Sequence, residues 1–235
     1  MPTHESGMIK DYTVFNPDFY ADVVRFMGLN CTEAEAERQV NAVDTGNPLN
    51  LAQAQAGELS LKERLNALVD RLEFIGHLAL LSRFAEQSNF VVLGEEMRGV
   101  HWDIRALRLY LALTCIDIFR EANDHRAHFE TTFTNLEGTL ATTVQMQLSL
   151  TKADGTAGTI SDIGLFFYNV RNFYTHAGRR FHILEASRLK QQAPFDSGSM
   201  KKKEEQYLVV AEGANLIDIL VLIAIALAKK RFGWT

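Results

Sequence analysis

Apolar side chains recur at spacings of three and four residues in several long segments, and this repeat limits what the chain can fold into. The apolar stripes run through residues 61–78, 104–118 and 166–184. Such spacing places apolar side chains on one face of an α-helix, whereas a strand shows strict alternation. Only four prolines occur in 235 residues, and an interior proline costs a helix about 3 kcal/mol. We therefore predict an all-α protein built as a helical bundle.

The ends of the predicted helices follow from capping and loop signals. Ser60 opens a capping box, which predicts a helix start. A long helix is expected from about residue 161 to 190, and a last helix from about 201 to 231. Gly, Pro and Ser between residues 191 and 199 predict the loop that separates them. The alternating pattern of residues 144–150 leaves a short strand open as an alternative there.

Charge and cysteine usage narrow the classes of function. The formal net charge is −5, so a broad cationic surface for nucleic acid is not expected, and any such contact must come from a local basic cluster. Cys31 and Cys115 are far apart and have no metal-type spacing. We expect both as reduced, buried thiols. The first residues lack the pattern of a signal peptide, and a cytoplasmic protein is therefore predicted.

One apolar segment raises the question of a membrane helix. Residues 208–228 are mostly apolar but contain Glu212 and Asp218, and a carboxylate near the bilayer centre costs about 2.5–3.5 kcal/mol on insertion scales. The uninterrupted part, residues 219–228, is too short to cross about 30 Å of hydrocarbon. We predict a deeply buried helix, or one that also forms a subunit interface, and no membrane partner.

The strongest chemical signal is a cluster of cations and imidazoles in the predicted helix that begins near residue 161. Arg171, His176, Arg179, Arg180 and His182 fall within twelve residues of an otherwise acidic chain. Histidine titrates near neutral pH and transfers protons. Arginine offers a planar, permanently charged fork for phosphate oxygens. The combination suits RNA cleavage without metal, in which the 2′-hydroxyl is the internal nucleophile.

Helix geometry restricts how Arg171 and His176 act together. On an ideal α-helix the two positions lie about 140° apart around the axis. They converge on one phosphate if the helix has a distorted turn at Arg171. They also converge if two copies of the chain meet around a two-fold axis.

The run from Arg171 to His176 resembles the signature of the HEPN superfamily (higher eukaryotes and prokaryotes nucleotide-binding), an arginine followed after four to six residues by a histidine. Asn172, directly after the arginine, is similar to the polar residue frequent at that position of the family. The resemblance covers about residues 98–232, in which a motif helix lies between two apolar helices, and leaves residues 1–95 as an N-terminal helical accessory region.

The resemblance implies a bundle of four to five core helices that forms a homodimer. It implies a metal-independent endoribonuclease that acts on RNA in a toxin–antitoxin, abortive-infection or other defence system, without a cofactor. Some members carry a tyrosine two residues after the histidine, where an antitoxin modifies it, but this chain has Gly178 there. The site residues implied are Arg171 and His176 as the catalytic pair, Asn172 in support, and Asp117 to orient the arginine at the substrate site. Arg179 and Arg180 are either ordinary surface charges or contacts to the RNA backbone.

Three other interpretations are open at this point. One is a non-catalytic helical binding module that pairs with an antitoxin or a nucleotidyltransferase. Another is that Arg171 and His176 lie on a solvated helix flank and have a capping or salt-bridge role. A metal site is the third possibility, because Glu121, His125 and His128 have ligand-like spacing. No fourth ligand is evident, so we predict no metal site.

Overall fold

A computed structural model describes most of the chain. The described residues are 18–50, 53–54, 58–87, 91–92, 95–96, 100–120, 124–152, 154–177, 183–185, 188–192 and 205–234. Within them, backbone but not side chains is described between 82 and 103, at 173–174, between 176 and 192, and at 205 and 207.

The described chain is predominantly helical, which confirms the predicted class. The helices are α1 (Phe19–Met27), α2 (Glu33–Gly46), α3 (Leu61–Gln87), α4 (Val100–Ile118), α5 (His125–Thr134), α6 (Gly138–Gln147), α7 (Ile160–Ala177) and α8 (Leu216–Phe232). The strands are β1 (Val91–Val92), β2 (Glu95–Glu96), β3 (Leu148–Thr151), β4 (Ile183–Glu185), β5 (Arg188–Gln192) and β6 (Glu205–Val210).

The chain divides into two compact units. The first comprises the described residues up to Val69 together with Trp234, and the second runs from Asp70 to Gly233. This division differs from the boundary predicted between residues 95 and 98. The predicted boundary followed the extent of a resemblance, whereas the compact units follow packing, and residues 70–87 of α3 belong to the second unit.

The first unit is built from α1, α2 and the beginning of α3. The Ser60 capping box is present, because Ser60 and Glu63 exchange backbone-to-side-chain hydrogen bonds of 2.7 and 3.3 Å. These bonds satisfy amide groups that the first turn of α3 leaves unpaired. The indole of Trp234 donates to Gln39 Oε1 at 2.7 Å.

The second unit contains the helical bundle, and α4 lies at its centre. This helix packs against α5, α7 and α8, and its Leu113, Cys115 and Ile116 are fully buried. Helices α5 and α7 pack closely through aromatic rings, with 5.3 Å between the ring centroids of Phe133 and Phe167. The bundle therefore has the apolar helix faces that the spacing of three and four residues predicts.

The second unit also contains an antiparallel sheet that corrects two predicted helices. Its strand order is β3-β6-β5-β4. The helix expected to reach residue 190 ends at Ala177, directly before Gly178, and β4 and β5 follow. The final helix begins at Leu216 instead of residue 201, because residues 205–210 form β6. A glycine disfavours helix by about 1 kcal/mol, and pairing with distant strands overrides local helix preference.

Burial explains why β3 and β6 pair in the observed register. Leu150 lies opposite Leu208, and Leu148 lies opposite Val210. These four side chains are buried, whereas the intervening Val209 is 38% exposed. The strand alternative for residues 144–150 is correct only at its end, since α6 continues to Gln147.

The apolar segment near the C-terminus forms α8, which has buried Ile219, Leu220 and Ile223. Lys229, Lys230 and Arg231 lie in its last turn, where cations complement the helix dipole. Among the residues that the structure describes, no helix has both the length and the apolar character that crossing a bilayer requires.

Gly164 generates a test of the packing between α5 and α7. A Cβ atom on Gly164 would lie 2.7 Å from the carbonyl oxygen of Phe129, a backbone atom that has little freedom to move. We expect Gly164→Ala to lower the free energy of unfolding by about 1–3 kcal/mol, the usual cost of overpacking. Chemical denaturation measures this change.

Gly76→Ala is the matched control, because Gly76 lies within α3 and no atom would be within 4 Å of its added Cβ. This variant is expected to be as stable as the original chain, or up to about 1 kcal/mol more stable. Equal effects of the two substitutions would contradict the close approach of α5 and α7.

Candidate functional site

Arg171 lies where two antiparallel helices of the second unit meet. Its Nη2 donates to Asp117 Oδ2, near the end of α4, at 2.8 Å. Four residues later, the hydroxyl of Thr175 lies 3.4 Å from the hydroxyl of Tyr110, further back along α4. The later residue of α7 contacts the earlier residue of α4, so the two helices are antiparallel. The second half of α7 therefore lies alongside α4.

The guanidinium of Arg171 is largely enclosed. Its side chain is 15% exposed, and Nη1 donates to Asn172 Oδ1 at 3.0 Å. Its Nε is buried and has no hydrogen-bond partner among the described residues. Two of the three nitrogens are therefore held by protein oxygens, which fixes the plane of the guanidinium.

Asp117 is the common partner of three basic side chains. His125 Nδ1 lies 2.9 Å from Asp117 Oδ1 and 3.0 Å from Oδ2, and Arg120 Nη1 lies 3.4 Å from Oδ1. Arg120 also contacts both ring nitrogens of His125. We call these residues, with Arg171, the Asp117 cluster. Two guanidiniums around one carboxylate leave one positive charge in excess, which favours an anion nearby.

The connection between α4 and α5 explains how His125 reaches Asp117. Helix α4 ends at Ile118, and α5 begins at His125 with Asp124 as its N-cap. The Asp124 carboxylate accepts from the backbone N–H of Ala127 at 3.0 Å, as capping residues do. A helix start only a few residues after the end of α4 brings the first side chain of α5 back to Asp117.

His128, one turn further along α5, forms a hydrogen bond with the backbone of α4. Its Nε2 donates to the carbonyl oxygen of Ile116 at 2.9 Å, which satisfies an acceptor near the end of α4. Burial lowers the pKa of His128, although the bond to Ile116 opposes this shift. His128 is therefore neutral at neutral pH and has a structural role.

Cys115 is excluded as a nucleophile. It is fully buried in α4, as expected, whereas Cys31 is only partly buried, contrary to expectation. Burial raises the pKa of the Cys115 thiol to about 12. A thiol with this pKa remains protonated at neutral pH, and the thiolate is the reactive form.

The predicted site residues fall into two groups. Arg171, Asn172 and Asp117 come together, and the contact expected between Asp117 and Arg171 is present. Position 176 lies in the last turn of α7, but the side chain of His176 lies outside the described residues, as do Arg179 and Arg180. The catalytic and substrate-binding roles stay predictions.

The continuity of α7 bears on how Arg171 and His176 converge. This α-helix runs without interruption from Ile160 to Ala177, so a distorted turn at Arg171 is absent. Positions 171 and 176 of one chain therefore lie about 140° apart around the helix axis. The meeting of two copies, the other route expected from the sequence, stays a prediction.

His125 and Arg120 are members of the cluster that sequence reasoning did not assign to the site. The only signal for His125 was its spacing from His128, which suggested metal ligands. In the described part of the chain, no group of three or more His, Cys, Asp or Glu side chains is arranged to hold a metal ion. His125 and His128 instead make two separate contacts to the end of α4. Glu121, the third residue with ligand-like spacing, lies outside the described residues.

Comparisons of the chain with protein-family models, with characterised proteins and with solved structures found no match.

The Asp117–Arg171 pair generates a double-mutant prediction. Asp117→Asn also removes a partner of His125 and Arg120, so a cycle with Arg171→Gln is needed to isolate one contact. We expect a coupling free energy of about 1–3 kcal/mol between the two substitutions, because the pair is largely buried. Denaturation of the two single variants and the double variant measures the coupling.

The exposed pair Arg126–Glu130 serves as the control, since its atoms lie 3.0 Å apart but Arg126 is 61% exposed. Its coupling is expected to be about 0.5 kcal/mol or less. Additive effects of Asp117→Asn and Arg171→Gln would show that the observed contact does not contribute to stability.

Proposed function

We propose that the chain is a metal-independent endoribonuclease of the HEPN type that acts on RNA as a homodimer. The observation that carries this proposal is the ion pair between Arg171 and Asp117 across two antiparallel helices of the bundle. Arg171 belongs to the run that resembles the family's signature, and Asn172, which follows it, accepts a hydrogen bond from it. The predominantly helical architecture agrees with the one that the resemblance implies.

The proposed reaction uses only groups that RNA and this chain supply. The 2′-hydroxyl attacks the adjacent phosphorus, and the bond from phosphorus to the 5′-oxygen of the next nucleotide breaks. The products are a 2′,3′-cyclic phosphate and a 5′-hydroxyl. Arg171 stabilises negative charge on the phosphate, and His176 transfers a proton. DNA lacks the nucleophile and is not cleaved.

The proposed site is composite. Because positions 171 and 176 diverge on the regular helix α7, we place Arg171 of one copy and His176 of the second copy at the same phosphate. A two-fold axis then generates two equivalent sites per dimer. The same reasoning makes the monomer inactive.

The proposed setting follows from the chemistry and the resemblance. An RNA-cleaving protein must be restrained in its own cell, which fits a cytoplasmic toxin–antitoxin or phage-defence system. An antitoxin or a nucleotidyltransferase is the corresponding protein partner. Arg179 and Arg180 are proposed to contact the RNA backbone.

A second candidate function is a non-catalytic helical module that binds such a partner. The observation that favours it is the enclosure of Arg171, which is 15% exposed and bound to Asp117 and Asn172. A guanidinium already paired with a carboxylate has fewer donors for a phosphate. The two candidates share the fold and differ in whether RNA is cleaved.

The cleavage assay separates them. Purified protein incubated with labelled RNA and EDTA is expected to give fragments that end in a 2′,3′-cyclic phosphate. His176→Ala is expected to slow cleavage by about 10²–10⁴-fold, because proton transfer by a positioned side chain contributes about that much. Circular dichroism establishes that the variant is folded.

His77→Ala is the matched control, since it removes an exposed imidazole from α3 and is expected to cleave at the original rate. Cleavage that requires Mg²⁺, or that survives His176→Ala unchanged, would overturn the nuclease proposal. Folded protein that cleaves no RNA would favour the binding module.

A further inference from the structure

Cleavage of RNA through its 2′-hydroxyl requires two proton transfers. A base removes the proton of the 2′-hydroxyl, and an acid delivers a proton to the departing 5′-oxygen. The two groups act on opposite sides of the phosphorus because attack and departure are in line. The segment from Arg171 to His176 contains one imidazole, that of His176. A complete site therefore requires a second group that can transfer a proton.

His125 is the imidazole that the structure holds next to Arg171. Both side chains bind the same carboxylate, Asp117, with His125 Nδ1 at 2.9 Å and Arg171 Nη2 at 2.8 Å. The side chain of His125 is 32% exposed, compared with 11% for Asp117. The imidazole is therefore at the accessible side of the cluster, where a substrate can reach it.

The contacts of His125 select one form of its neutral ring. An ionised carboxylate only accepts hydrogen bonds. Nδ1 therefore carries the proton that it donates to Asp117, and the neutral ring keeps its lone pair on Nε2. A carboxylate that fixes Nδ1–H in this way leaves Nε2 as the basic nitrogen.

We propose that His125 is the general base of the site, held by Asp117 in the same chain as Arg171. This inference rests on the proposed function. Nε2 of His125 takes the proton of the 2′-hydroxyl as that oxygen forms its bond to phosphorus. As the bond to the 5′-oxygen breaks, protonated His176 of the second copy gives its proton to that oxygen. His125 ends protonated and His176 neutral, and exchange with water restores both.

Arg120 acquires a role in the same step. Its guanidinium contacts both ring nitrogens of His125, and the 2′-hydroxyl takes the position beside Nε2 in the proposed reaction. The adjacent phosphate offers Arg120 a charged acceptor. Arg120 then binds the phosphate together with Arg171.

Cleavage rates test the assignment. His125→Asn keeps a polar side chain of similar size but removes the base, and it is expected to slow RNA cleavage by about 10²–10⁴-fold. The limb of the pH–rate profile in which the rate rises with pH is expected to disappear. The charged and titratable groups around His125 are Asp117 near the end of α4, Arg120 just after that helix, and Arg171 from α7, with Asp124 as the N-cap of its own helix and His128 within it.

His77→Asn is the control and is expected to retain the original rate and pH profile. If the original chain cleaves RNA and His125→Asn cleaves it equally fast, the assignment of His125 is overturned while the proposed nuclease function stands. If the original chain cleaves no RNA, the proposed function fails, and the role of His125 in it fails too.

A measurement on the unmodified side chain does not depend on the stability of a variant. Nitrogen-15 NMR at a pH where the imidazole is neutral reports which ring nitrogen carries the proton. We expect Nδ1–H for His125, and a loss of this preference in Asp117→Asn. A neutral ring protonated on Nε2 would overturn the inference, whatever the cleavage assays give.

Discussion

The ion pair between Asp117 and Arg171 is the constraint on which the candidate site depends. Both side chains are largely enclosed, at 11% and 15% exposure, and an enclosed charge is costly unless it is paired and hydrogen-bonded. The pair joins α4 to α7 and sets the rotation of α7 about its own axis. His125 of α5 and Arg120 bind the same carboxylate, so three segments of the bundle meet at one largely enclosed carboxylate.

The rotation of α7 has a direct consequence for chemistry. Once Arg171 is fixed on α4, position 176 follows about 140° around the axis. The imidazole in contact with Asp117, the partner of Arg171, comes from α5, because the short connection after α4 returns the chain to Asp117. One chain thus supplies the guanidinium of Arg171 and the imidazole of His125, both bound to Asp117. In the proposal, the second imidazole, His176, comes from the other copy of the chain.

The sequence predicted the helices well and the sheet poorly, for a physical reason. Helix formation depends on side chains three and four residues apart, and the stripes at 61–78 and 104–118 appear as α3 and α4. Strands β3 and β6 pair across about sixty residues of sequence, and that pairing leaves only a faint local pattern. The final helix, expected from residue 201, therefore begins only at Leu216, after β6.

The same distinction holds for the candidate site. Arg171 and Asn172 are adjacent in one run, and the resemblance of that run to a family signature also pointed to Asp117. His125 and Arg120 lie close to Asp117 because of the connection between α4 and α5. The distances between side chains across such a connection cannot be predicted from the sequence. The residue types and spacing of His125 and Arg120 are present in the sequence. Only the structure shows that Asp117 is the carboxylate that contacts both.

Mixing two inactive variants tests the composite site most directly. A chain with His176→Ala keeps Arg171, and a chain with Arg171→Ala keeps His176, so a mixed dimer contains one intact site and one doubly altered site. Random pairing of equal amounts is expected to restore about a quarter of the original RNA cleavage, since half of the dimers are mixed. Variants that remain inactive after mixing, although mixed dimers form, would contradict a site shared between two copies.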